Sequence, residues 1–392
     1  MNNIESSLLV QRDMGIYIHI PFCKQKCIYC DFPAYQNLQD YYDTYLYALL
    51  QEMTMFVDAH PEVCQKPVDT VYFGGGTPTE LSIEQLYSIL NQIKALFNIT
   101  DDCQFTIESN PGELTKAYIA ELVQLGFSRI SFGVQTFNDK NLVALHRSHR
   151  GQDAIQAVNW AHEVGFKDIN LDLIYGLPNQ VIEHIEQDLD MVSQLPINHI
   201  STYGLQVEKG TYLYHLVHRN LITLPSEHVE DALYETMMMG IEALGFERYE
   251  ISNFAKDRAY SKHNLKYWQY SDYLGFGAGA HSFYDGVRRA NNRNVMPYAR
   301  TIDNFILPII EEEIIDESRA IEDYCFLALR TKWGIQEQLF YKKFGIAIQS
   351  KYNDVLMNLI DKQLLVYRDN AYIMTPEGIK HGNYVFSQFI DM

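Results

Sequence analysis

The stretch Gly15-Ile16-Tyr17-Ile18-His19-Ile20-Pro21-Phe22-Cys23-Lys24-Gln25-Lys26-Cys27-Ile28-Tyr29-Cys30-Asp31-Phe32 decides how the rest of the chain is interpreted. Its first half is a short apolar run that predicts a strand. Its second half is a loop that carries three cysteines with the spacing C-x3-C-x2-C. Three thiols so close together are poor material for disulfides, because one is always left over. The loop therefore suits a soft metal centre bound by thiolates.

More than one kind of centre is compatible with this spacing. Zinc sites usually take four ligands from paired C-x2-C motifs, and the sequence has no second pair. A cubane iron–sulfur cluster usually takes four cysteines, so three of them would leave one iron open to another ligand. A closed zinc site that borrows His19 and a set of three free thiols are the alternatives.

The composition narrows the class of protein. The chain of 392 residues has 31 basic and 50 acidic residues, a formal net charge of −19. This charge argues against a nucleic-acid partner and against adsorption to an anionic membrane surface. Residues 1–12 contain no signal-peptide pattern, and no apolar run is long enough to cross a bilayer, so we expect a cytoplasmic protein. Cys64, Cys103 and Cys325 are expected to be small buried residues that bind no metal.

A repeated element indicates the fold. Gly126-Phe127 recurs as Gly165-Phe166 and again as Gly245-Phe246, each time between a predicted helix and a predicted strand. The glycine is expected to end its helix in the left-handed conformation, and the phenylalanine to return to the core. Residues 195–201 are expected to be a further copy that lacks the glycine. Repeated units of this kind predict a parallel sheet, either open or closed into a barrel.

Local patterns place further elements along the chain. Strands are predicted over residues 68–73 and 104–107, with helices over residues 39–57 and from Ser82, where Gln85 completes a capping box. After residue 300 the pattern changes to helices over 318–331, 335–344 and 349–361, followed by a hairpin of strands 364–367 and 371–374. We therefore expect two domains, residues 1–300 and a small winged-helix-like α+β domain of residues 301–392. This second domain has 9 basic and 14 acidic residues, which favours packing or docking over reading DNA.

The cysteine stretch resembles the cluster motif of the radical SAM superfamily. Its flanking residues, 17–22 and 29–32, are similar to the HemN/HemW branch, which contains oxygen-independent coproporphyrinogen III dehydrogenases and related heme chaperones. The resemblance implies that Cys23, Cys27 and Cys30 hold a [4Fe-4S] cluster whose open iron is chelated by S-adenosyl-L-methionine (SAM). It also implies an α/β fold, a partial (β/α)6 radical SAM barrel followed by the small domain.

Polar residues at predicted strand ends are the candidates for holding SAM, because ligands gather at the carboxyl ends of parallel strands. Glycines there allow close approach of the backbone, and an arginine can pair with a carboxylate in bidentate fashion. Each of these roles has a purely structural alternative. The glycines could simply form a tight turn, and Glu108 could be a solvated acid at the end of a strand. By local context, the positions that match the family's SAM-contacting residues or flank the cysteines are Tyr17, Tyr29, Gly75, Gly76, Thr77, Glu108, Gln135, Arg147 and Asp172.

The block Lys262-His263-Asn264-Leu265-Lys266-Tyr267-Trp268 resembles the HNxxYW signature of the heme chaperones in this branch. Imidazole is a common axial ligand of heme iron, and aromatic rings pack against the macrocycle. His263, Tyr267 and Trp268 are therefore the candidate heme residues, and a purely structural role for His263 is an equal alternative.

Two departures from the dehydrogenases decide the expected function. Phe32 stands where those enzymes have a fourth cysteine, and little chain precedes Cys23 to supply their longer N-terminal segment. We therefore expect a heme chaperone that binds the cluster, SAM and heme and passes heme to apo-hemoproteins such as membrane respiratory enzymes. A homodimer is left open. The alternatives are an active coproporphyrinogen III dehydrogenase, which decarboxylates its substrate oxidatively with SAM, and a radical SAM enzyme that opens heme.

Overall fold

The computed structural model describes residues 13–390 of the chain. The expectation about a signal peptide concerns residues 1–12, which lie outside this range. Within residues 13–390, no helix combines the length and the apolar character that a membrane crossing requires.

One large sheet organises most of the chain. Its strands are β1 (Met14–Ile20), β2 (Pro67–Gly75), β3 (Asn98–Ser109), β4 (Arg129–Gln135), β5 (Asp168–Tyr175), β6 (His199–Gly204), β7 (Glu247–Arg248), β8 (Asn253–Ala255), β9 (Tyr273–Phe276), β10 (His281–Tyr284), β11 (Val287–Asn291) and β12 (Ile309–Ile314). They lie in the order β12-β11-β10-β9-β1-β2-β3-β4-β5-β6-β8-β7. Strands β1 to β6 pair in parallel in chain order, so their carboxyl ends share one edge. The predicted parallel sheet is confirmed, and it forms a partial barrel that stays open.

Helices connect these strands and cover the sheet. They are α1 (Tyr42–Ala59), α2 (Ile83–Leu96), α3 (Lys116–Leu125), α4 (Asp139–Ala144), α5 (Gly151–Val164), α6 (Ile182–Ser193), α7 (Tyr212–His218), α8 (Glu227–Ala243), α9 (Lys262–Trp268) and α10 (Val295–Asp303). Short 3-10 turns occur at Gln39–Tyr41, Pro61–Gln65, Pro78–Glu80 and Pro111–Glu113. The predicted capping box starts α2, since the Ser82 hydroxyl accepts from the Gln85 amide (3.2 Å) and the Gln85 side chain accepts from the Ser82 amide (3.0 Å).

The repeated element behaves as predicted in its first two copies. Gly126 and Gly165 end α3 and α5 with φ of 105° and 99°, and the phenylalanine after each is buried. The third copy differs: Gly245 (φ 85°) follows α8, but the strand after it is the two-residue β7, which pairs antiparallel with β8. Strand β8 pairs antiparallel with β6, so the third copy does not add another parallel strand. It supplies β7, the last strand at this edge of the sheet.

The sequence analysis did not predict strands β9 to β12. Strand β9 pairs parallel with β1, and β10, β11 and β12 then extend the sheet in antiparallel fashion. Strand β12 lies beyond residue 300 yet belongs to the large sheet. The division of the chain at residue 300 therefore remains a prediction.

The C-terminal part contributes most of a second, smaller core, which Tyr270 and Phe283 of the preceding part join. Its elements are α11 (Glu317–Leu329), β13 (Ile335–Gln336), α12 (Glu337–Phe344), α13 (Ile348–Asp361), β14 (Leu365–Arg368), β15 (Ala371–Met374), α14 (Pro376–Lys380) and α15 (Gly382–Ser387). The predicted hairpin is β14 and β15, and β13 pairs with β15 to complete a small antiparallel sheet. The helix predicted over 335–344 starts at Glu337 instead. Ile335 and Gln336 form strand β13 and pair with β15.

Helix α9 packs on the face of β1 and β2 that carries Tyr17 and Tyr72. From it, Lys266 forms a buried ion pair with Asp69 of β2 and donates to the backbone oxygen of Asp13 (2.7 Å). Burial raises the pKa of Asp69 above its ordinary value, although Lys266 acts to lower it. Desolvation therefore outweighs the attraction, as is common for buried ion pairs.

Replacing Lys266 with Ala should lower the free energy of unfolding by about 3–5 kcal/mol, because Asp69 would stay buried without its counter-ion. The double variant Lys266→Met, Asp69→Leu should recover most of that loss, since both desolvation costs disappear together. Denaturant unfolding followed by circular dichroism measures both. Lys262→Ala on the same helix is the control, because its partner Asp102 is 79% exposed and the pair is worth at most about 1 kcal/mol. Equal losses in Lys262→Ala and Lys266→Ala would contradict this account.

Candidate functional site

The carboxyl ends of the parallel strands and the cysteine loop enclose a cavity of about 480 Å³, which we call the cysteine cavity. The structure brings together here every residue predicted to hold the cluster or SAM. The residues of that set that line the cavity are Tyr17, Cys23, Cys27, Tyr29, Cys30, Gly75, Gly76, Thr77, Glu108, Gln135, Arg147 and Asp172.

The cysteines lie on the loop that leaves β1. Cys23 is buried, whereas Cys27 and Cys30 are half-buried. Burial raises the pKa of the Cys23 thiol to about 12, and the Thr77 hydroxyl donates to its sulfur (3.5 Å). Such a thiol becomes a thiolate when a metal takes the place of its proton.

The zinc alternative is not assembled in this structure. Over the described range, no three His, Cys, Asp or Glu side chains converge closely enough to hold a single metal ion. His19 is also engaged, since its Nδ1 hydrogen-bonds to the Tyr17 hydroxyl (3.0 Å) and its Nε2 to the Pro33 oxygen (2.9 Å). A cubane differs from zinc because each thiolate binds a different iron. Three thiols spread along one loop therefore fit a cubane better than a single ion.

Arg147 links the cysteine loop to the strand ends. Its Nη1 donates to the Cys27 sulfur (3.0 Å), and its Nη2 donates to Asn110 Oδ1 (2.6 Å) and to the Gly133 oxygen (2.5 Å). Burial alone would lower the pKa of Arg147, but Tyr29 and Cys27 raise it above the ordinary value. The buried Nε has no hydrogen-bond partner among residues 13–390. The guanidinium is thus a fixed positive charge beside the thiols, and its Nε–H is available to an anionic group.

Glu108 is held in the cavity wall. It accepts hydrogen bonds from the Tyr72 hydroxyl (2.6 Å) and from the Gly75 amide (3.1 Å). Burial raises the pKa of Glu108 to about 7, and the nearby Asp172 contributes to the rise. These contacts distinguish Glu108 from a solvated acid at a strand end. A cationic or hydrogen-bonding ligand in the cavity would favour its ionised form.

Asp172 is the second acid of the cavity. Its carboxylate accepts from the Asn170 amide (2.8 Å) and from the Ser131 hydroxyl (3.3 Å), which compensates an acid within an apolar strand. Burial raises the pKa of Asp172 above its ordinary value.

The glycines allow the end of β2 to approach the cysteine loop. A side chain at Gly75, which has a φ of 110°, would collide with the His19 ring, and one at Gly76 would lie 2.5 Å from the Phe22 oxygen. These positions therefore require glycine for close packing, whether or not they also contact a ligand. The same closeness places the Gly75 amide against Glu108 and lets both glycines line the cavity.

Gln135 is strained at the end of β4. Its φ of 68° lies in the left-handed region, and the pairing of β4 with β5 shifts register between Gly133 and Gln135. A non-glycine residue in this region costs on the order of 1–3 kcal/mol and is typical of functional sites. The shift leaves the buried Gln135 on the cavity wall.

A second cavity of about 550 Å³, which we call the aromatic cavity, adjoins the first. Tyr17, Asp31 and Phe32 line both. The further aromatic residues of its wall are Tyr267, Trp268, Tyr270, Tyr273, Phe283 and Phe326.

Of the candidate heme residues, Tyr267 and Trp268 line the aromatic cavity and His263 does not. His263 is buried, with Nδ1 hydrogen-bonded to the Thr70 hydroxyl (3.0 Å) and Nε2 to the Tyr267 hydroxyl (2.9 Å). Burial lowers the pKa of His263 to about 3. Its role as a heme ligand remains a prediction, and in this structure both ring nitrogens are already engaged.

Several wall residues were missed by the sequence analysis. In the cysteine cavity they are Asn110, Ser131, Tyr203, Gln206 and Glu208, and in the aromatic cavity His281, Arg288 and Arg293. The rule that ligands gather at strand ends would have found Tyr203 had it been applied to β6. The second group had no comparable signal, because the strands that carry it were not predicted.

Comparison with known proteins supports the same family. The sequence profile of the Radical SAM superfamily matches residues 17–192, from β1 into α6. The heme chaperone HemW of Bacillus subtilis (strain 168) is 38% identical over 375 residues, which are 95% of this chain and 98% of that protein. The heme chaperone HemW of Lactococcus lactis subsp. lactis (strain IL1403) is 35% identical over 383 residues, 97% of this chain and 98% of that protein.

A solved structure shows the same fold. Coproporphyrinogen III oxidase (HemN) from Escherichia coli, a radical SAM enzyme, superimposes with a TM-score of 0.84 over 99% of this chain and 93% of that chain. The two sequences are 22% identical, so this likeness concerns the fold alone. Taken with the extent and identity of the sequence matches, it leads to one conclusion: the chain belongs to the HemW family of radical SAM proteins.

Proposed function

We propose that this protein is a heme chaperone, which holds a [4Fe-4S] cluster and SAM in the cysteine cavity and heme in the aromatic cavity. The observation that carries the proposal is the adjacency of the two cavities, which share Tyr17, Asp31 and Phe32 as common wall residues. The relatives that match nearly the whole chain are named heme chaperones, which supports the same choice.

The residues of the cysteine cavity would have distinct roles in holding the cluster and SAM. Cys23, Cys27 and Cys30 would ligate the cluster, and Glu108 would accept hydrogen bonds from SAM. Arg147 would hold the loop in place through Cys27 and offer its free Nε–H to an anionic group. Gly75, Gly76 and Thr77 would line the methionine part of SAM, and Tyr17, Tyr29, Gln135 and Asp172 would complete the wall. When bound, a cluster with an open iron supplies one-electron reduction of SAM.

The proposal extends to the recipients of heme. We propose that heme passes to apo-hemoproteins such as membrane respiratory enzymes, and that this happens in the cytoplasm, where thiols stay reduced. The net charge of −19 supports protein or small-molecule partners over nucleic acid.

The main rival is oxidative decarboxylation of coproporphyrinogen III. The complete set of SAM-site candidates favours retained radical chemistry. Phe32 argues against this decarboxylase activity. It occupies the position where the dehydrogenases that the sequence resembles have a fourth cysteine. It is 60% exposed and lines both cavities, so it presents an apolar ring where those enzymes present a thiol.

Replacing Cys23, Cys27 and Cys30 together with Ala should abolish cluster binding, because no other cysteine lies on their loop. The parent, reconstituted without oxygen, should be brown and hold about four irons per chain. Iron analysis and visible absorbance measure both. The matched control replaces Cys64, Cys103 and Cys325 with Ala and should keep the iron. Iron that persists in the first variant, or is lost from the second while it stays folded, would refute the ligand assignment.

Replacing Glu108 with Ala should weaken SAM binding by at least about tenfold, since a lost hydrogen bond to a charged group costs roughly 1.5–3 kcal/mol. Glu108→Gln keeps the shape but not the charge and should also bind more weakly. Calorimetry of the reconstituted protein measures the affinity. Glu121→Ala, an exposed acid on α3, should behave as the parent. Parent-like affinity in both Glu108 variants would remove Glu108 from the SAM site.

A paired assay separates the chaperone from its rivals. Reconstituted protein is incubated with coproporphyrinogen III, SAM and a reductant, and a second portion is titrated with hemin and then mixed with an apo-hemoprotein. We expect tight heme binding, heme transfer and no decarboxylated product. Protoporphyrinogen formed with consumption of SAM would establish the dehydrogenase. Loss of the heme spectrum with consumption of SAM would establish the heme-opening enzyme.

A further inference from the structure

We propose that His281 is the axial ligand of the heme iron and that Arg293 pairs with a heme propionate. This inference rests on the proposed function, and it assigns to the aromatic cavity two residues outside the HNxxYW block. A heme site needs apolar walls for the flat macrocycle, a side chain that ligates the iron and cations that pair with the two propionates.

The strand register brings the donor and the walls to one face of the sheet. Side chains alternate along a strand, so His281 and Phe283 of β10 point to the same side. Phe283 pairs directly with Tyr273 of β9 and with Arg288 of β11, and all four side chains line the aromatic cavity. Opposite His281 stands Ala290, a small residue that leaves room beside the imidazole.

His281 is the histidine near this cavity whose ring remains available. His19 and His263 each have both ring nitrogens hydrogen-bonded. No group among the described residues hydrogen-bonds to either ring nitrogen of His281, and its side chain is exposed. Its imidazole can therefore donate a nitrogen lone pair to ferric iron without first breaking a hydrogen bond within the protein.

Binding of this kind is a ligand exchange. The Fe–N bond to His281 forms, and the bond from iron to water or hydroxide breaks. The ferric iron keeps its oxidation state, so no oxidant or reductant is required.

Two arginines supply positive charge on the cavity wall. Arg288 is already paired, since it donates to Asp323 (2.6 Å). Arg293 donates to the backbone oxygen of Asp31 (3.1 Å), and no carboxylate among residues 13–390 pairs with it. Asp31 also lines the cavity, so one acid stands near this cation. A guanidinium whose charge is unpaired, in a chain of net charge −19, suits a propionate in bidentate contact.

The remaining walls suit a macrocycle. The rings of Tyr267, Trp268, Tyr273 and Phe283 provide flat apolar surface, and Phe32 adds an exposed ring on the side shared with the cysteine cavity. The cavity volume of about 550 Å³ lies within the range of roughly 300–1,000 Å³ that is typical of small-ligand sites. These features together favour a tetrapyrrole that carries both a metal and carboxylates.

The test compares hemin with metal-free protoporphyrin IX on the reconstituted full-length protein. His281→Ala should weaken hemin binding by about tenfold or more and shift the Soret band, yet leave protoporphyrin IX affinity unchanged, because the lost bond involves the iron. Added imidazole should restore the parent heme spectrum by entering the space left by the side chain. Arg293→Ala should weaken both ligands by about tenfold or more, since both carry propionates. His228→Ala and Arg300→Ala, at exposed positions elsewhere, should match the parent.

The outcomes separate this inference from the function on which it rests. If the parent binds hemin and His281→Ala keeps its spectrum and affinity, the ligand assignment is overturned while the chaperone stands, and His263 becomes the ligand to examine. If Arg293→Ala binds both porphyrins as the parent does, the propionate assignment is overturned. If the parent binds no hemin, the proposed function and this inference both fail.

Discussion

The site depends on the parallel pairing of β1 to β6. Parallel strands that are neighbours in a sheet end at the same edge, so residues far apart in sequence become neighbours when each strand stops. Ile20 pairs with Gly75 at the ends of β1 and β2, and Ser109 pairs with Phe132 near the ends of β3 and β4. The loop that leaves β1 carries the cysteines, Gly75 ends β2, and Glu108 and Asp172 lie on β3 and β5. The parallel pairing of these strands thus brings the wall residues of the cysteine cavity together.

A second constraint acts from beneath the site. Helix α9 places His263 and Lys266 against β1 and β2, where His263 bonds to Thr70 and Lys266 pairs with Asp69. The same helix presents Tyr267 and Trp268 to the aromatic cavity. Tyr267 joins the two roles, because its hydroxyl hydrogen-bonds to His263 while its ring lines the cavity. The buried polar contacts of α9 therefore position part of the wall of the aromatic cavity.

The two cavities have related electrostatics. The chain is strongly acidic, yet each cavity contains an arginine that forms no ion pair with a carboxylate among residues 13–390. These are Arg147 beside the cysteine loop and Arg293 on the aromatic wall. Both contact the cysteine-bearing segment, Arg147 at the Cys27 sulfur and Arg293 at the Asp31 backbone. Changes in that loop would therefore reach both arginines. Tyr17 is a wall residue that both cavities share.

The sequence by itself determined the three-cysteine loop, the parallel sheet and many, though not all, of the residues that line the cysteine cavity. The loop follows from local spacing and the sheet from the glycine–phenylalanine repeat. The site residues follow from the rule that ligands gather at the ends of parallel strands, together with the resemblance of their local motifs to the radical SAM superfamily. Apart from Tyr267 and Trp268, which the sequence analysis had singled out, the wall of the aromatic cavity was decided by tertiary structure alone. Strands β9 to β12 are too short to show a clear periodicity in the sequence. The antiparallel register of β9, β10 and β11 brings Tyr273, His281, Phe283 and Arg288 together. Tertiary structure also decided the place of His263. The residue type suits a ligand, but packing of α9 turns its ring into the sheet, where Thr70 and Tyr267 satisfy both nitrogens.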